Sequence, residues 1–221
     1  LAFVLSKVAD RGSTLGRWDP TPTQSGVINT FSRQALPMTW DYAETSPLGD
    51  ASGSFMGSIN WVIKVVQNYS NVNVTAHVFQ QDAKFSNKND DIPKIISTDP
   101  PYYDAVPYAD LSDFFYSWLR QSLGSIYPDI CRTLLVPKSN EMVADHFRHG
   151  SKQKAKEFFE SSLIKVFHRI NNLNHHDYPV TVYYALKQTE TDNDDNVAST
   201  GWETILEGLM QSNFSICGTW P

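Results

Sequence analysis

The segment Asp99-Pro100-Pro101-Tyr102 places an acid, two consecutive prolines and an aromatic ring directly after a short apolar run. Each proline fixes its φ angle and lacks a backbone N–H, so nearby carbonyl groups are left to accept hydrogen bonds from elsewhere. The carboxylate and a proline carbonyl could accept from an exocyclic amino group while the tyrosine stacks on its ring. This composition indicates a stiff loop that recognises a planar nitrogenous base, and a rigid structural turn is the alternative.

An amino group held by two acceptors is suited to one kind of reaction. Two hydrogen bonds would shift its nitrogen from planar towards tetrahedral, which frees the lone pair to attack an electrophilic methyl group. Such a reaction depends on placement more than on a strong general base. A base inside a duplex cannot reach a loop of this kind, so the pattern also implies that the target base is flipped out.

Two further sets of residues could serve the same reaction. Asp82 follows a predicted strand, where open α/β sheets bind ligands, although helix caps and turns also favour Asp. Arg148 and Lys152 lie in a basic stretch at residues 138–169, which indicates either a charged outer helix face or a surface that contacts phosphates. His146 and His149 have no third ligand at a convincing spacing, so we expect no metal site.

The elements that must position these residues follow from the spacing of apolar side chains. Helical spacing predicts helices at residues 1–10, 31–42 (short, and interrupted by Pro37), 56–69, 110–121, 151–172 and 202–211. Strands are predicted at residues 72–78, 94–98, 179–186 and 214–219. The alternation of strands and helices favours an α/β layer with a largely parallel sheet flanked by helices.

Composition limits the class of protein. The 221 residues are 41% hydrophobic, which excludes general disorder, and the two cysteines alone cannot form a disulfide scaffold or a four-thiolate zinc site. No apolar run approaches the roughly 18–20 residues of a membrane helix, so we expect no membrane partner. The low cysteine content, with three glycosylation sequons short enough to occur by chance, favours a reducing, cytoplasmic location. The net charge of −6 argues against a wholesale nucleic-acid coat. Four of the acids, however, crowd one predicted loop: Glu190, Asp192, Asp194 and Asp195.

Asp99-Pro100-Pro101-Tyr102 after an apolar strand resembles motif IV of the amino-group DNA methyltransferases, and the form with Asp is more typical of those that methylate adenine N6. More of the chain is similar to a narrower family, the adenine-specific DNA methylases that carry zinc ribbons and occur in prokaryotic defence loci. The stretches that carry this resemblance cover nearly the whole chain: residues 29–41, 97–104, 108–116, 148–150, 182–188 and 201–208.

The resemblance implies a partial Rossmann-like methyltransferase fold that uses S-adenosylmethionine to methylate the N6 amino group of a flipped adenine in double-stranded DNA. Residues 1–70 would be a helical and irregular segment, and residues 71–221 the C-terminal part of the catalytic domain. The implied site residues are Asp99, Pro100, Pro101 and Tyr102 for catalysis, Asp82 for the cofactor, and Arg148 and Lys152 for DNA.

The chain also departs from this family. None of its 11 glycines forms a Gly-x-Gly element, and it contains no zinc ribbon. The resemblance places both features in an upstream portion of the same polypeptide, so we expect this chain to be a C-terminal fragment that is inactive alone. Two other functions stay open: amino-group methylation of RNA or of a protein glutamine, and a non-catalytic DNA-recognition or assembly module of a defence system.

Overall fold

The computed structural model describes residues 1–23, 25–51, 53–69, 74–85, 92–103, 106–184 and 195–220, with no side chains for 195–200. The chain divides into two compact units, Leu1–His77 with Tyr108–Lys138 and Val78–Pro107 with Ser139–Pro221. None of the described helices is both long enough and apolar enough to cross a membrane. Three acids of the predicted acidic loop, Glu190, Asp192 and Asp194, lie outside the described residues, whereas the fourth, Asp195, is the first residue of a helix rather than part of a loop.

The first unit contains three helices and an antiparallel hairpin: α1 (Ala2–Arg11), β1 (Arg17–Asp19), β2 (Gly26–Ile28), α2 (Phe55–Tyr69) and α3 (Tyr108–Leu123). Helix α1 packs against both α2 and α3. Hydrogen bonds attach the end of the hairpin to the end of α1, because the N–H and the hydroxyl of buried Thr30 donate to the Asp10 carbonyl at 2.8 and 2.7 Å. Helices α1, α2 and α3 confirm the helices predicted at residues 1–10, 56–69 and 110–121.

The helix predicted at residues 31–42 is wrong. These residues form turns and irregular backbone, and Gln34 adopts the left-handed region with φ 53°. The N–H of Phe31 donates to the Asp10 carboxylate at 3.3 Å, which ties the start of the segment to the end of α1. Pro37 lies in the middle of the segment, where its missing N–H and the clash of its ring with the carbonyl four residues earlier oppose a continuous helix.

The second unit is organised by one long helix. It contains β3 (Ser97–Thr98), α4 (His146–His149), α5 (Lys152–Leu173), β4 (Thr181–Val182) and α6 (Asp195–Gln211). Helix α5 begins where Gly150 takes the left-handed conformation with φ 80° and the Ser151 hydroxyl accepts from the Lys154 N–H at 3.2 Å. The helices predicted at residues 151–172 and 202–211 are confirmed as α5 and α6.

The core of the second unit lies along the apolar face of α5. Phe159, Leu163 and Phe167 are completely buried, and Ile205 of α6 packs on them. A Cβ atom at Gly208 would lie 3.3 Å from the Phe167 ring, so the absence of a side chain there allows α6 to approach α5 closely. Each of the large apolar side chains contributes about 1.5–3 kcal/mol through burial.

Of the predicted parallel sheet, the described residues form two short strands within the predicted ranges 94–98 and 179–186. Strand β3 pairs in parallel with β4, with Ser97 opposite Thr181 and Thr98 opposite Val182. The strands predicted at residues 72–78 and 214–219 are wrong where the structure describes them, since residues 74–78 and 214–219 have no regular structure. Val74 and Val78 are 77% and 94% exposed, so their alternation has no sheet to cover. The described part of the chain combines α-helices with two small two-stranded sheets, a mixed α/β arrangement.

Candidate functional site

The Asp99-Pro100-Pro101-Tyr102 loop begins at the carboxyl end of β3, beside the end of the parallel strand β4. Asp99 and Tyr102 are exposed whereas Pro100 is buried, so the loop is anchored at its second residue. Within the described residues, neither the Asp99 carboxylate nor the Pro100 carbonyl takes part in a hydrogen bond. The structure thus brings the four predicted catalytic residues together with two acceptors that those residues leave unpaired.

The two tyrosines of the loop have different surroundings. The Tyr103 ring packs against the core through an edge contact with Phe159, with ring centroids 5.3 Å apart. The Tyr102 ring is 43% exposed and lies perpendicular to the Tyr184 ring, with centroids 5.0 Å apart and an angle of 88° between the planes. The loop is therefore fixed to the core by one ring and presents the other.

Tyr184 follows β4 and holds the loop by its hydroxyl as well as by its ring. The Tyr103 N–H donates to the Tyr184 hydroxyl oxygen at 3.4 Å. Burial raises the pKa of Tyr184; the hydrogen bond from Tyr103 acts against this rise, and the nearby Tyr102 adds to it. The rise moves the pKa further above physiological pH, so the phenol is neutral there, as an ordinary tyrosine is, and adds no negative charge near the loop.

Asp82 lies in a turn that is attached to α5. Its Oδ1 accepts from the Lys84 N–H at 3.0 Å, and its Oδ2 lies 3.4 Å from the Lys84 Nζ. The Arg169 guanidinium on α5 donates to the Ala83 carbonyl at 3.0 Å, and the Lys84 ammonium lies over the Phe158 ring. The turn alternative thus describes the observed geometry of Asp82, and its contact with a cofactor stays a prediction.

Asp82, the acid predicted to contact S-adenosylmethionine, has one engaged and one unsatisfied oxygen. Its Oδ1 accepts from the Lys84 N–H, whereas its buried Oδ2 has no hydrogen-bond partner in the described residues and lies 3.4 Å from the Lys84 Nζ. Two clefts of the described residues lie between α5 and α6 and beside α1, and neither is lined by Asp82 or by the loop. No group of three His, Cys, Asp or Glu side chains in the described part of the chain could hold a metal ion.

The two residues predicted to contact DNA differ in their availability. The Arg148 side chain is only 16% exposed, and it lies 2.6 Å from Glu141 and 3.4 Å from Asp145. Asp145 also caps α4 by accepting from the Phe147 N–H at 2.8 Å. Lys152, in the first turn of α5, is exposed. A phosphate could approach Lys152 directly but would compete with carboxylates for Arg148.

Part of the positive charge in the predicted basic stretch is compensated by carboxylates of the same unit. Lys138 lies 2.6 Å from Asp113 in the first unit, and Lys156 lies 3.7 Å from Glu160 in the second. Burial raises the pKa of Asp113, but hydrogen bonds from Lys138 and from the Val136 N–H outweigh burial and hold this pKa below its usual value. Three of the seven basic residues of the stretch thus lie beside a carboxylate, whereas Lys152, Lys154 and Lys165 are exposed and have no ion pair in the described residues.

Sequence reasoning missed Tyr184 and Gly201 as neighbours of the loop. A Cβ atom at buried Gly201 would lie 3.3 Å from the Tyr184 hydroxyl and 3.6 Å from the Tyr103 Cβ. Tyr184 could have been inferred from its place after the predicted strand at residues 179–186, since parallel strands end at one edge of a sheet. No comparable signal marks Gly201, which lies in α6. No family model, curated protein or solved structure matches this chain.

Proposed function

We propose that this chain is a portion of an S-adenosylmethionine-dependent DNA methyltransferase that methylates the exocyclic N6 amino group of a flipped adenine. One observation carries the proposal. At the carboxyl end of β3, the Asp99 carboxylate and the Pro100 carbonyl have no hydrogen-bond partner in the described residues, and the ring of Tyr102 in the same loop is 43% exposed. This is the set of groups that an aromatic amine requires.

The chain's own residues would act by placement. Asp99 and Pro100 each accept one hydrogen of the amino group, at the 2.7–3.2 Å typical of such bonds. Pro101 has no N–H that could compete for these acceptors and keeps the backbone stiff. Tyr102 stacks on the base and so prevents its rotation. Together these contacts direct the nitrogen lone pair away from the loop and towards the methyl donor.

The rest of the proposal concerns what surrounds the loop. The parallel pair β3 and β4 with α5 and α6 would be the later part of a Rossmann-like fold. An upstream portion of the same polypeptide would supply the glycine-containing cofactor loop and the zinc ribbons. Lys152, and Arg148 after release from its carboxylates, would contact the backbone of double-stranded DNA in the cytoplasm.

The proposal is tested by following tritium from labelled S-adenosylmethionine into unmethylated DNA, RNA and protein, using the full-length protein. We expect transfer into DNA alone, and N6-methyladenine as the product of digestion. Transfer only into RNA or into protein glutamine would replace the proposed substrate class. Absence of transfer into all three, together with DNA binding, would favour a non-catalytic recognition module.

A further inference from the structure

We infer that Tyr184 is a positioning residue for the Tyr102 ring, and that Gly201 lacks a side chain in order to leave room for it. The inference rests on the proposed function, because it assigns to Tyr102 a ring orientation that stacks on the target base. It concerns residues from three separate parts of the second unit: the loop after β3, the end of β4 and the second turn of α6.

Tyr184 restrains the loop at two successive residues. Its ring meets the Tyr102 ring at 88° with a centroid distance of 5.0 Å, a favourable edge-to-face geometry. Its hydroxyl accepts the N–H of Tyr103 at 3.4 Å, which fixes the backbone immediately after Tyr102. One side chain thus limits both the ring rotation of Tyr102 and the path of its backbone.

Tyr184 is itself held in place by α6. The Cβ position of Gly201 lies 3.3 Å from the Tyr184 hydroxyl, which is closer than most side chains tolerate. The Trp202 ring lies 6.4 Å from the Tyr184 ring at an angle of 30°. A methyl group at Gly201 would therefore crowd the Tyr184 hydroxyl, which already accepts the Tyr103 N–H at 3.4 Å, and would require one of them to shift by a few tenths of an ångström.

The neighbouring Tyr183 provides a contrast. Its side chain is 62% exposed, and its backbone N–H donates to the Thr98 carbonyl in the pairing of β3 and β4. Substituting the Tyr183 side chain leaves that backbone bond intact. Two adjacent tyrosines at the end of one strand thus differ in whether they touch the loop, which makes Tyr183 the matched control.

In the full-length protein, Tyr184→Leu should lower kcat for methyl transfer by up to about 100-fold, the effect of misplacing a reacting group by roughly 1 Å. The KM for S-adenosylmethionine should stay unchanged, because Tyr184 acts on the base-stacking ring. Tyr184→Phe keeps the ring contact and should lower kcat less. Tyr183→Leu should leave kcat unchanged. Wild-type kcat in Tyr184→Leu, or an equal loss in Tyr183→Leu, would overturn the inference.

Gly201→Ala supplies a second test, in which its effect on kcat is compared with and without the Tyr184 hydroxyl. Alone it should lower kcat, since the new methyl group crowds the Tyr184 hydroxyl. Combined with Tyr184→Phe, which removes that hydroxyl, it should lower kcat no further than Tyr184→Phe does alone. Losses that simply multiply in the double variant would show that the two residues act independently, contrary to the inference.

A substrate-free measurement separates this inference from the proposed function. In protein with isotope-labelled tyrosine rings, the Tyr102 ring resonances, assigned with Tyr102→Phe, should shift in Tyr184→Leu and in Gly201→Ala but not in Tyr183→Leu. Unchanged Tyr102 resonances in the first two variants would refute the positioning role. If the wild-type protein methylates no substrate, the proposed function fails, and these resonances still decide whether Tyr184 orients the loop.

Discussion

Truncation of Phe159 should destabilise the second unit far more than truncation of its neighbour Phe158. Phe159 is completely buried at the centre of the core, and its ring supports Tyr103 at a centroid distance of 5.3 Å. Phe159→Ala removes a full aromatic side chain and leaves a cavity, so we expect a loss of about 3–5 kcal/mol in the free energy of unfolding. That loss is a large fraction of the roughly 5–15 kcal/mol that stabilises a typical domain.

Phe158 is the matched control on the same helix. It is partly exposed, stacks on the His149 ring at 4.2 Å and lies beneath the Lys84 ammonium. Phe158→Ala should cost about 1 kcal/mol, the usual effect of a substitution outside the core. Urea denaturation followed by circular dichroism gives both values. A loss of unfolding free energy in Phe159→Ala that is no greater than the loss in Phe158→Ala would refute the assignment of the core to this face of α5.

Three further outcomes follow from the structure. The pKa of Asp113 is lowered in the folded protein, so its pairing with Lys138 stabilises the first unit above the ordinary pKa of 3.8, and this stabilisation is lost as the pH falls below that value. Urea denaturation at several pH values should therefore show a smaller loss of unfolding free energy on acidification for Asp113→Asn than for the wild type. Identical pH dependence in the two proteins would contradict this. Because the sequence has no Gly-x-Gly element to hold S-adenosylmethionine, isothermal titration of the isolated chain should detect weak binding or none, and sub-micromolar affinity would be contrary evidence. In the full-length protein, Lys152→Ala should reduce the slope of the logarithm of the DNA-binding constant against the logarithm of salt concentration by about one unit. Lys165, an exposed lysine further along α5, is the control, and Lys165→Ala should leave the slope unchanged. Equal effects of the two substitutions would argue against a DNA contact at Lys152.

The helices could be predicted from sequence because their information is local. In α5, apolar residues recur on one face from Ala155 to Ile170, and Ser151 caps the first turn. The strands could not be predicted equally well, because a strand exists only where a neighbour accepts its hydrogen bonds. The alternation around Val74 has no such neighbour among the described residues, whereas the hairpin of β1 and β2 forms from three-residue strands without a clear pattern.

The candidate site likewise has a local part that the sequence predicts and a long-range part that it does not. The Asp99-Pro100-Pro101-Tyr102 loop is contiguous, so its residue types alone indicated two acceptors and a stacking ring. Tyr184 contacts the loop across 81 positions of sequence, through the register in which Thr98 lies opposite Val182. No local pattern specifies that register. Likewise, the pairing of Arg148 with Glu141 depends on the approach of α4 to the preceding loop, which charge counting does not reveal.

The most direct test of the central claim is the rate of methyl transfer from tritiated S-adenosylmethionine to DNA by full-length protein carrying Asp99→Ala. Loss of one of two preorganised partners should lower this rate by at least about 100-fold. The exposed side chain of Asp99 has no partner in the described residues, so circular dichroism should show an unchanged fold. Asp177→Ala, which removes another exposed acid of the same unit, should retain the wild-type rate. A wild-type rate in Asp99→Ala would contradict the assignment of this loop to catalysis.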